Sequence, residues 1–392
     1  MTDPTVSHSR NSLGAHAENS VRLYRADTYL TRLQGHLASF GITRLADITG
    51  LDRLGIPVVQ AIRPLARSNA VNQGKGLTIE EAAVSAAVEA LETAAAETVP
   101  SEAEELVSPA AVYGSEAVEK LAHHLLPDAR QGWTETPLPF LTGTDPATGE
   151  TARVPAALVS TDFTPGSPHA ASPFIRTTTG LGGGATRQEA LVQGLLETLE
   201  RLGTSRAMTI HGFFEKHRLA AETLANGKLN GLLDQLQASG LLCAIYDCPR
   251  AGGLPVIWAR LLDEGNSSTS LPFHADGFAC RTTYAEAAIA ALLEAIQTRA
   301  SVIAGGREDI TRQFYPRRID QELVDFERAQ LRKVPGMAAP EIDTPPEANP
   351  EELARRLRIE GFQAIAIPLL ADADIPLHIA RIVTLARKEA DA

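Results

Sequence analysis

Three stretches of this 392-residue chain repeat one arrangement of threonine and carboxylates. Aligned on Thr78, Thr186 and Thr283, each has a glutamate three residues on (Glu81, Glu189, Glu286) and another eleven residues on (Glu89, Glu197, Glu294). Three residues further stands an acid or amide: Glu92, Glu200 and Gln297. Thr-x-x-Glu is the capping box that opens a helix. From that start, Ser85/Glu89/Glu92, Gln193/Glu197/Glu200 and Ala290/Glu294/Gln297 fall at i, i+4 and i+7, one face of each helix. Helical glutamate most often points into water, but the neighbours here argue otherwise. Between Ala82 and Leu91 the polar residues are Ser85 and Glu89; between Ala190 and Leu199 they are Gln193, Glu197 and Thr198; between Ala287 and Ile296, Glu294 stands alone. A helix apolar nearly all round is a buried helix, so its acids face the interior, where an unpaired carboxylate is costly. Acids that meet need cations. An oxygen-rich set without histidine suits Mg2+, held by a carboxylate or two together with substrate phosphates. A di-iron or di-manganese centre wants Glu-x-x-His on two helices, whereas this chain has Glu-x-x-Glu twice and Glu-x-x-Gln once.

The elements that must position these acids follow from local pattern. Q73-G-K-G-L-T78 and G180-L-G-G-G-A-T186 read as glycine-rich turns at helix entries, where N–H groups and the helix dipole favour phosphate. Neither is a Walker A or a dinucleotide fingerprint; a helix-entry turn is their default reading, and Lys75 in the first adds a basic group that reaches a phosphate. Residues 1–27 read as a loosely held polar tail. Thr28–Phe40 reads as a helix, Ile42–Thr49 and Val58–Arg63 as strands, and 100–170 as a less regular stretch. Phe174–Thr179 reads as strand-like, 205–230 as helical, and 241–246 and 255–262 as strands before the third helix. The expected organisation is a body over 28–335, a proline-rich linker over 336–350 and a small C-terminal α/β segment over 351–392, with a helix and two short strands. Strand, glycine turn and capped helix, used three times, predict a mixed α/β (α+β) fold with a small C-terminal α/β appendage.

A net charge of −12 and a pI near 5.4 weigh against nucleic-acid and anionic-membrane partners. The N-terminus has no apolar stretch of the signal-peptide kind and no apolar run suggests a bilayer span, so a cytoplasmic location is expected. Cys243, Cys248 and Cys280 are odd in number and lack C-x-x-C spacing, which reads as buried thiols rather than a disulfide framework or zinc site.

The segments G41-I-T-R-L-A-D-I-T-G-L-D-R-L-G-I-P57, R63-P64 to G74-K-G76, S85-A-A-V-E-A-L-E92, V192-Q-G-L-L-E-T-L-E-R201 and A291-L-L-E-A-I-Q-T-R299 with G306-R-E-D309 resemble, in order, stretches of the YcaO family. These are ATP-dependent enzymes that activate backbone amides in peptides, and the resemblance runs from about residue 25 to about 385. It implies three repeated units gathered around one central ATP site, with ATP and Mg2+ as cofactors. It implies Glu89, Glu92, Glu197 and Glu200 as metal-holding positions and Ser85 and Gln193 as nucleotide positions. Arg299, with Glu89 and Glu197, is implied in the phosphoryl chemistry, and Lys75 and Arg307 as further phosphate contacts. The substrate implied is a peptide or protein.

The G-I-T-R-x-A-D-x-T-G-L-D-R opening is similar to the subgroup that works beside a TfuA-like partner protein and makes thioamides from a sulfide donor. The resemblance is compatible with a homodimer. The end A386-R-K-E-A-D-A392 lacks the proline-rich tail of azoline-forming members, so thioamidation is expected over cyclodehydration. Thr93 stands where many members have Arg, and Thr179 where many have Asn, which implies a reduced or partner-dependent ATPase. A catalytically silent peptide-presenting scaffold is the alternative, and a scaffold has no physical reason to bury so many acids.

Overall fold

The computed structural model describes residues 22–99, 105–129, 131–224, 226–265, 274–308, 310, 315, 320–342, 345–371 and 374–387. The expected N-terminal tail and the last five residues lie almost wholly outside that set.

The fold is built from three strand–helix units. In the first, β1 (Arg44–Asp47), β2 (Val58–Ile62) and β3 (Val71–Lys75) form an antiparallel sheet in the order β1-β2-β3. After α1 (Ala26–Gln34) opens the described chain, this sheet leads into α2 (Ile79–Glu97). The second unit is β7 (Leu181–Gly184) and α5 (Arg187–Ala207). The third is a β8 (Leu241–Ala251), β9 (Leu254–Asp263), β10 (Ala275–Cys280) sheet followed by α8 (Tyr284–Ala304). All three capping boxes form: Thr78, Thr186 and Thr283 accept from the N–H of Glu81, Glu189 and Glu286 at 3.2, 3.1 and 3.2 Å.

Each helix packs on the strand before it and on the strand of the next unit: α2 also touches β7, α5 also β10, and α8 also β3. The three units therefore close into a ring. Small residues make the approach possible. A Cβ on Gly74 would lie 2.0 Å from the Ala86 nitrogen, one on Gly182 2.1 Å from the Ala190 oxygen, and one on Gly277 2.2 Å from the Ala291 oxygen. Of the glycines expected in helix-entry turns, Gly74, Gly182, Gly183 and Gly184 are strand residues. Gly74 pairs with Val59, and Gly182 and Gly183 pair with Ala380 and Ile379. At Gly74 and Gly182 a helix backbone lies against the strand, and at Gly183 the side chains of Val88 and Glu92 do.

The stretch 105–155 is more regular than its prolines suggest, with β4 (Glu105–Val107), α3 (Pro109–Tyr113), α4 (Ala117–Leu121), β5 (Leu138–Thr144) and β6 (Thr151–Pro155). Phe174–Thr179 is not a strand; within it Phe174 makes one isolated bridge to Leu125. The helical expectation over 205–230 breaks into the end of α5, α6 (Phe213–Lys216), a 3-10 turn and the start of α7 (Gly227–Ala238). Helix α9 (Gln321–Arg332) precedes 336–342 and 345–349, the described part of the expected linker, which hold no helix or strand.

The C-terminal segment is not an appendage. After α10 (Pro350–Ile359), strands β11 (Phe362–Ala371) and β12 (His378–Ala386) lie in the middle of the largest sheet, in the order β4-β5-β11-β12-β7 with β6 on β5. A near-continuous apolar run in both strands, buried from Ala364 to Ile367 and from Ile379 to Val383, is what a two-sided position requires. Among the described residues α8 alone is long and apolar enough to cross a bilayer, yet 61% of its apolar window is buried against the sheets, as in a core helix. All three cysteines are free, and burial pushes their thiols up, Cys243 and Cys280 to about 12.

Candidate nucleotide and metal site

The ring turns the carboxylates of α2, α5 and α8 towards one another. Glu89 feels the charge of Glu294; Glu92 that of Glu89 and Glu197; Glu200 that of Glu294 and Glu197. Protein surrounds these side chains on most sides, and solvent still reaches them. Glu197 and Glu294 keep 22 and 26% of their side-chain surface accessible, against 9% for Glu200. They line a recess rather than a sealed core.

Burial, and then like-charge crowding, drives the carboxyl groups towards the neutral form. Glu92 is pushed up to about 8 by burial, Glu89 and Glu197, and Glu200 to about 8 by burial and Glu294. Glu89 and Glu197 are also raised by burial but held back by cations: Lys75 and Arg307 for Glu89, Arg201 and Arg381 for Glu197.

Direct contacts are few. Lys75 Nζ bonds Glu294 Oε2 at 2.9 Å, and the Asn72 amide reaches Glu89 Oε1 at 3.5 Å. The Gly180 N–H donates to Glu197 Oε2 at 3.1 Å. Arg201 lies 3.7 Å from both Glu197 and Glu200. Ser85 is half-buried and Gln193 exposed on their helix faces.

Arg299 stands apart from this set. Its guanidinium is buried and taken by two carboxylates, Nε to Asp52 at 2.7 Å and Nη1 to Asp263 at 2.9 Å, and Asp263 also bonds Arg53. Where a phosphate contact is expected, the structure shows a buried ion network tying the Gly41–Pro57 opening to β9 and α8. Arg307, just beyond the end of α8, is close enough to favour the charged form of Glu89. Thr93 is buried and accepts from Arg63 Nη1 at 3.2 Å, while Arg63 bonds Glu97 through two nitrogens, Nη1 at 3.2 Å and Nη2 at 2.6 Å. A guanidinium thus reaches the neighbourhood of Thr93 from the end of β2.

Sequence reasoning left Glu294 among the helix positions without assigning it a role, and passed over Asn72 and Arg381. Glu294 carried a signal, its place in the repeat. Arg381 carried none, because nothing local in a C-terminal strand announces that it lies across from Leu181.

The residues fit a nucleotide with Mg2+. Five carboxylates share the recess, and although Lys75, Arg201, Arg281, Arg307 and Arg381 act on them, Glu92 and Glu200 are still pushed up to about 8 by burial and like-charge crowding, which a divalent cation relieves. Mg2+ uses one or two carboxylates and completes its octahedron with water and phosphate, so it does not need a group of three or more His, Cys, Asp or Glu ligands, and among the described residues there is none.

Comparison with known proteins agrees with this fold and chemistry. Residues 73–384 match the family described as YcaO cyclodehydratase, ATP- and Mg2+-binding. The chain belongs to the YcaO family, whose cofactors are ATP and Mg2+. It is 28% identical over 387 residues to an uncharacterized protein in the tfuA 3' region of Rhizobium leguminosarum bv. trifolii, covering 95% of this chain and 90% of that one. In fold it is similar to YcaO from Methanopyrus kandleri bound with AMPPCP and Mg2+, with a TM-score of 0.67 at 23% identity, covering 92% of this chain and 91% of that one. A heterocyclase in complex with substrate and cofactor superposes with a TM-score of 0.70 at 16% identity, covering 93% of this chain and 52% of that one.

Proposed function

We propose that this protein uses ATP and Mg2+ to activate a peptide backbone amide and, with a sulfide source and a TfuA-type partner, converts it to a thioamide. The observation that carries the nucleotide part is the ring of three capped helices that brings Glu89, Glu92, Glu197, Glu200 and Glu294 into one solvent-reached recess where burial and mutual repulsion oppose their ionisation. The thioamide part is supported by the TfuA-type opening at Gly41–Pro57 and by a relative found in a tfuA 3' region.

In this reading sulfide adds to the amide carbon while the amide oxygen takes the γ-phosphoryl group; phosphate then leaves with that oxygen and C=S remains. ATP supplies the phosphoryl group, and Mg2+ supplies the charge that lets phosphate oxygens sit among carboxylates. The residues of the chain do the rest. Glu89, Glu92, Glu197 and Glu200 hold the cations, and Glu92 and Glu200 give up their protons as they do so. Lys75, now paired with Glu294, and Arg307, beside Glu89, are the basic groups positioned to meet phosphate. Ser85 and Gln193, one helical turn before the acids on α2 and α5, are the nucleotide contacts in this reading. The Gly180 N–H fixes the Glu197 carboxylate. Arg299 holds the frame from which α8 projects Glu294.

The test is calorimetric titration of ATP with and without Mg2+, then turnover with a peptide substrate and sulfide, followed by mass spectrometry. Mg2+-dependent ATP binding that is lost in Glu89→Gln and Glu197→Gln, and a product mass matching exchange of oxygen for sulfur, are expected. Loss of one water from the peptide would instead identify a cyclodehydratase. ATP binding and turnover unchanged in both variants would overturn the assignment of the carboxylates.

A further inference from the structure

One buried cation beside the recess keeps donors to spare. Arg381 lies on β12, 4% exposed, across from Leu181 of β7. Its neighbours Ala380 and Ile382 pack in the same cluster as Leu191, Val192 and Leu195 of α5. By strand alternation Arg381 therefore projects from the opposite face, the side on which Gly183 meets Val88 and Glu92 of α2. Its Nη2 donates to the Thr177 carbonyl at 2.8 Å. Its Nε and Nη1 are buried and have no hydrogen-bond partner among the described residues.

The surroundings are those of the recess. Glu197 is the carboxylate whose charge Arg381 feels most, and no ion pair of 4 Å or less joins the two. Glu197 bonds the Gly180 N–H, and the Thr177 carbonyl that holds Arg381 belongs to the same short segment. An under-bonded guanidinium near a cation-seeking carboxylate suits a ligand that carries both signs, an oxyanion with its metal ion.

Buried polar groups are nearly always bonded, and a guanidinium is the side chain best matched to phosphate oxygens. We propose that Arg381 is a phosphate-binding residue of this site, its idle Nε and Nη1 donating to oxygens of the nucleotide's polyphosphate on the Glu197 side of the recess. The inference rests on the ATP reading above. Its rival is an internal water that completes Arg381, leaving the residue with only a structural task, holding the Thr177–Gly180 segment.

The experiment titrates ATP, AMP and inorganic tripolyphosphate, each with Mg2+, into the full chain and into Arg381→Gln and Arg381→Lys, alongside urea unfolding of each. Losing charge-assisted bonds should weaken ATP and tripolyphosphate by about tenfold or more in Arg381→Gln and leave AMP nearly unchanged. Arg381→Lys should restore part of the loss. It keeps the charge, so it also carries the test should Arg381→Gln not fold: a selective loss for the polyphosphates supports the proposal. Wild-type affinities in the folded variants, with only stability reduced, overturn it. A wild-type chain that binds neither ATP nor tripolyphosphate overturns the nucleotide reading itself, and the role of Arg381 with it.

Discussion

Substituting Glu92 by Gln should make the metal-free protein more stable while removing its function. In the fold the Glu92 carboxyl titrates near 8 rather than at its ordinary 4.5, because burial and the charges of Glu89 and Glu197 oppose ionisation. A carboxyl raised in this way contributes stability that is fully present below pH 4.5 and is lost as the pH rises through 8. Each pH unit between those limits costs about 1.4 kcal/mol, so at pH 7 the penalty has an upper bound of about 3 kcal/mol. Solvent reaches this half-buried side chain, which lowers the expected gain for Glu92→Gln to about 1–3 kcal/mol. Urea unfolding of both proteins in chelator at pH 5 and pH 8 reads this directly. The variant should match the wild type at the lower pH and exceed it at the higher. Adding Mg2+ and ATP should then raise the wild-type midpoint and leave the variant's nearly unmoved, the usual trade between stability and a strained functional site. A variant less stable than the wild type at pH 8 without metal would mean that Glu92 is well paired, and the argument from burial and like-charge crowding would fall.

Cation binding needs ionised Glu92 and Glu200, so Mg2+ affinity should climb as the pH rises towards 8 and binding should release protons; calorimetry in buffers of different ionisation enthalpy measures that release. Arg299→Ala leaves buried Asp52 without its cation and Asp263 with Arg53 alone, and should cost about 3–5 kcal/mol in unfolding measurements. Lower ATP affinity with undiminished stability in that variant would restore Arg299 to the phosphates. Gly182→Ala would push a methyl to 2.1 Å from the Ala190 oxygen; it should cost about 1–3 kcal/mol or more and, by shifting α5, weaken ATP binding by titration.

The acid-bearing helices were legible because they are written in helical periodicity. A Thr-x-x-Glu start and acids at i+4 and i+7 mark the helix, its first residue and the face of Glu89/Glu92 and Glu197/Glu200, since cap and periodicity are local. The glycines misled in part, because a glycine that opens a turn and one that lets a strand touch a helix look alike in sequence. At Gly74 and Gly182 only the packed helix distinguishes them. The ion pairs of Arg299 were not legible for a related reason: they come from residues 247 and 36 positions away, Asp52 and Asp263.

What the chain determines by itself is therefore the set of capped, acid-bearing helices and the family they belong to. Tertiary structure alone decided that the three units close into a ring, that β11 and β12 lie at the centre of the largest sheet, and that Arg381 reaches the neighbourhood of Glu197. The reason is physical: hydrogen bonds within one turn of helix depend on residues three or four apart, whereas strand pairing and charge proximity depend on which distant surfaces the burial of apolar area brings together.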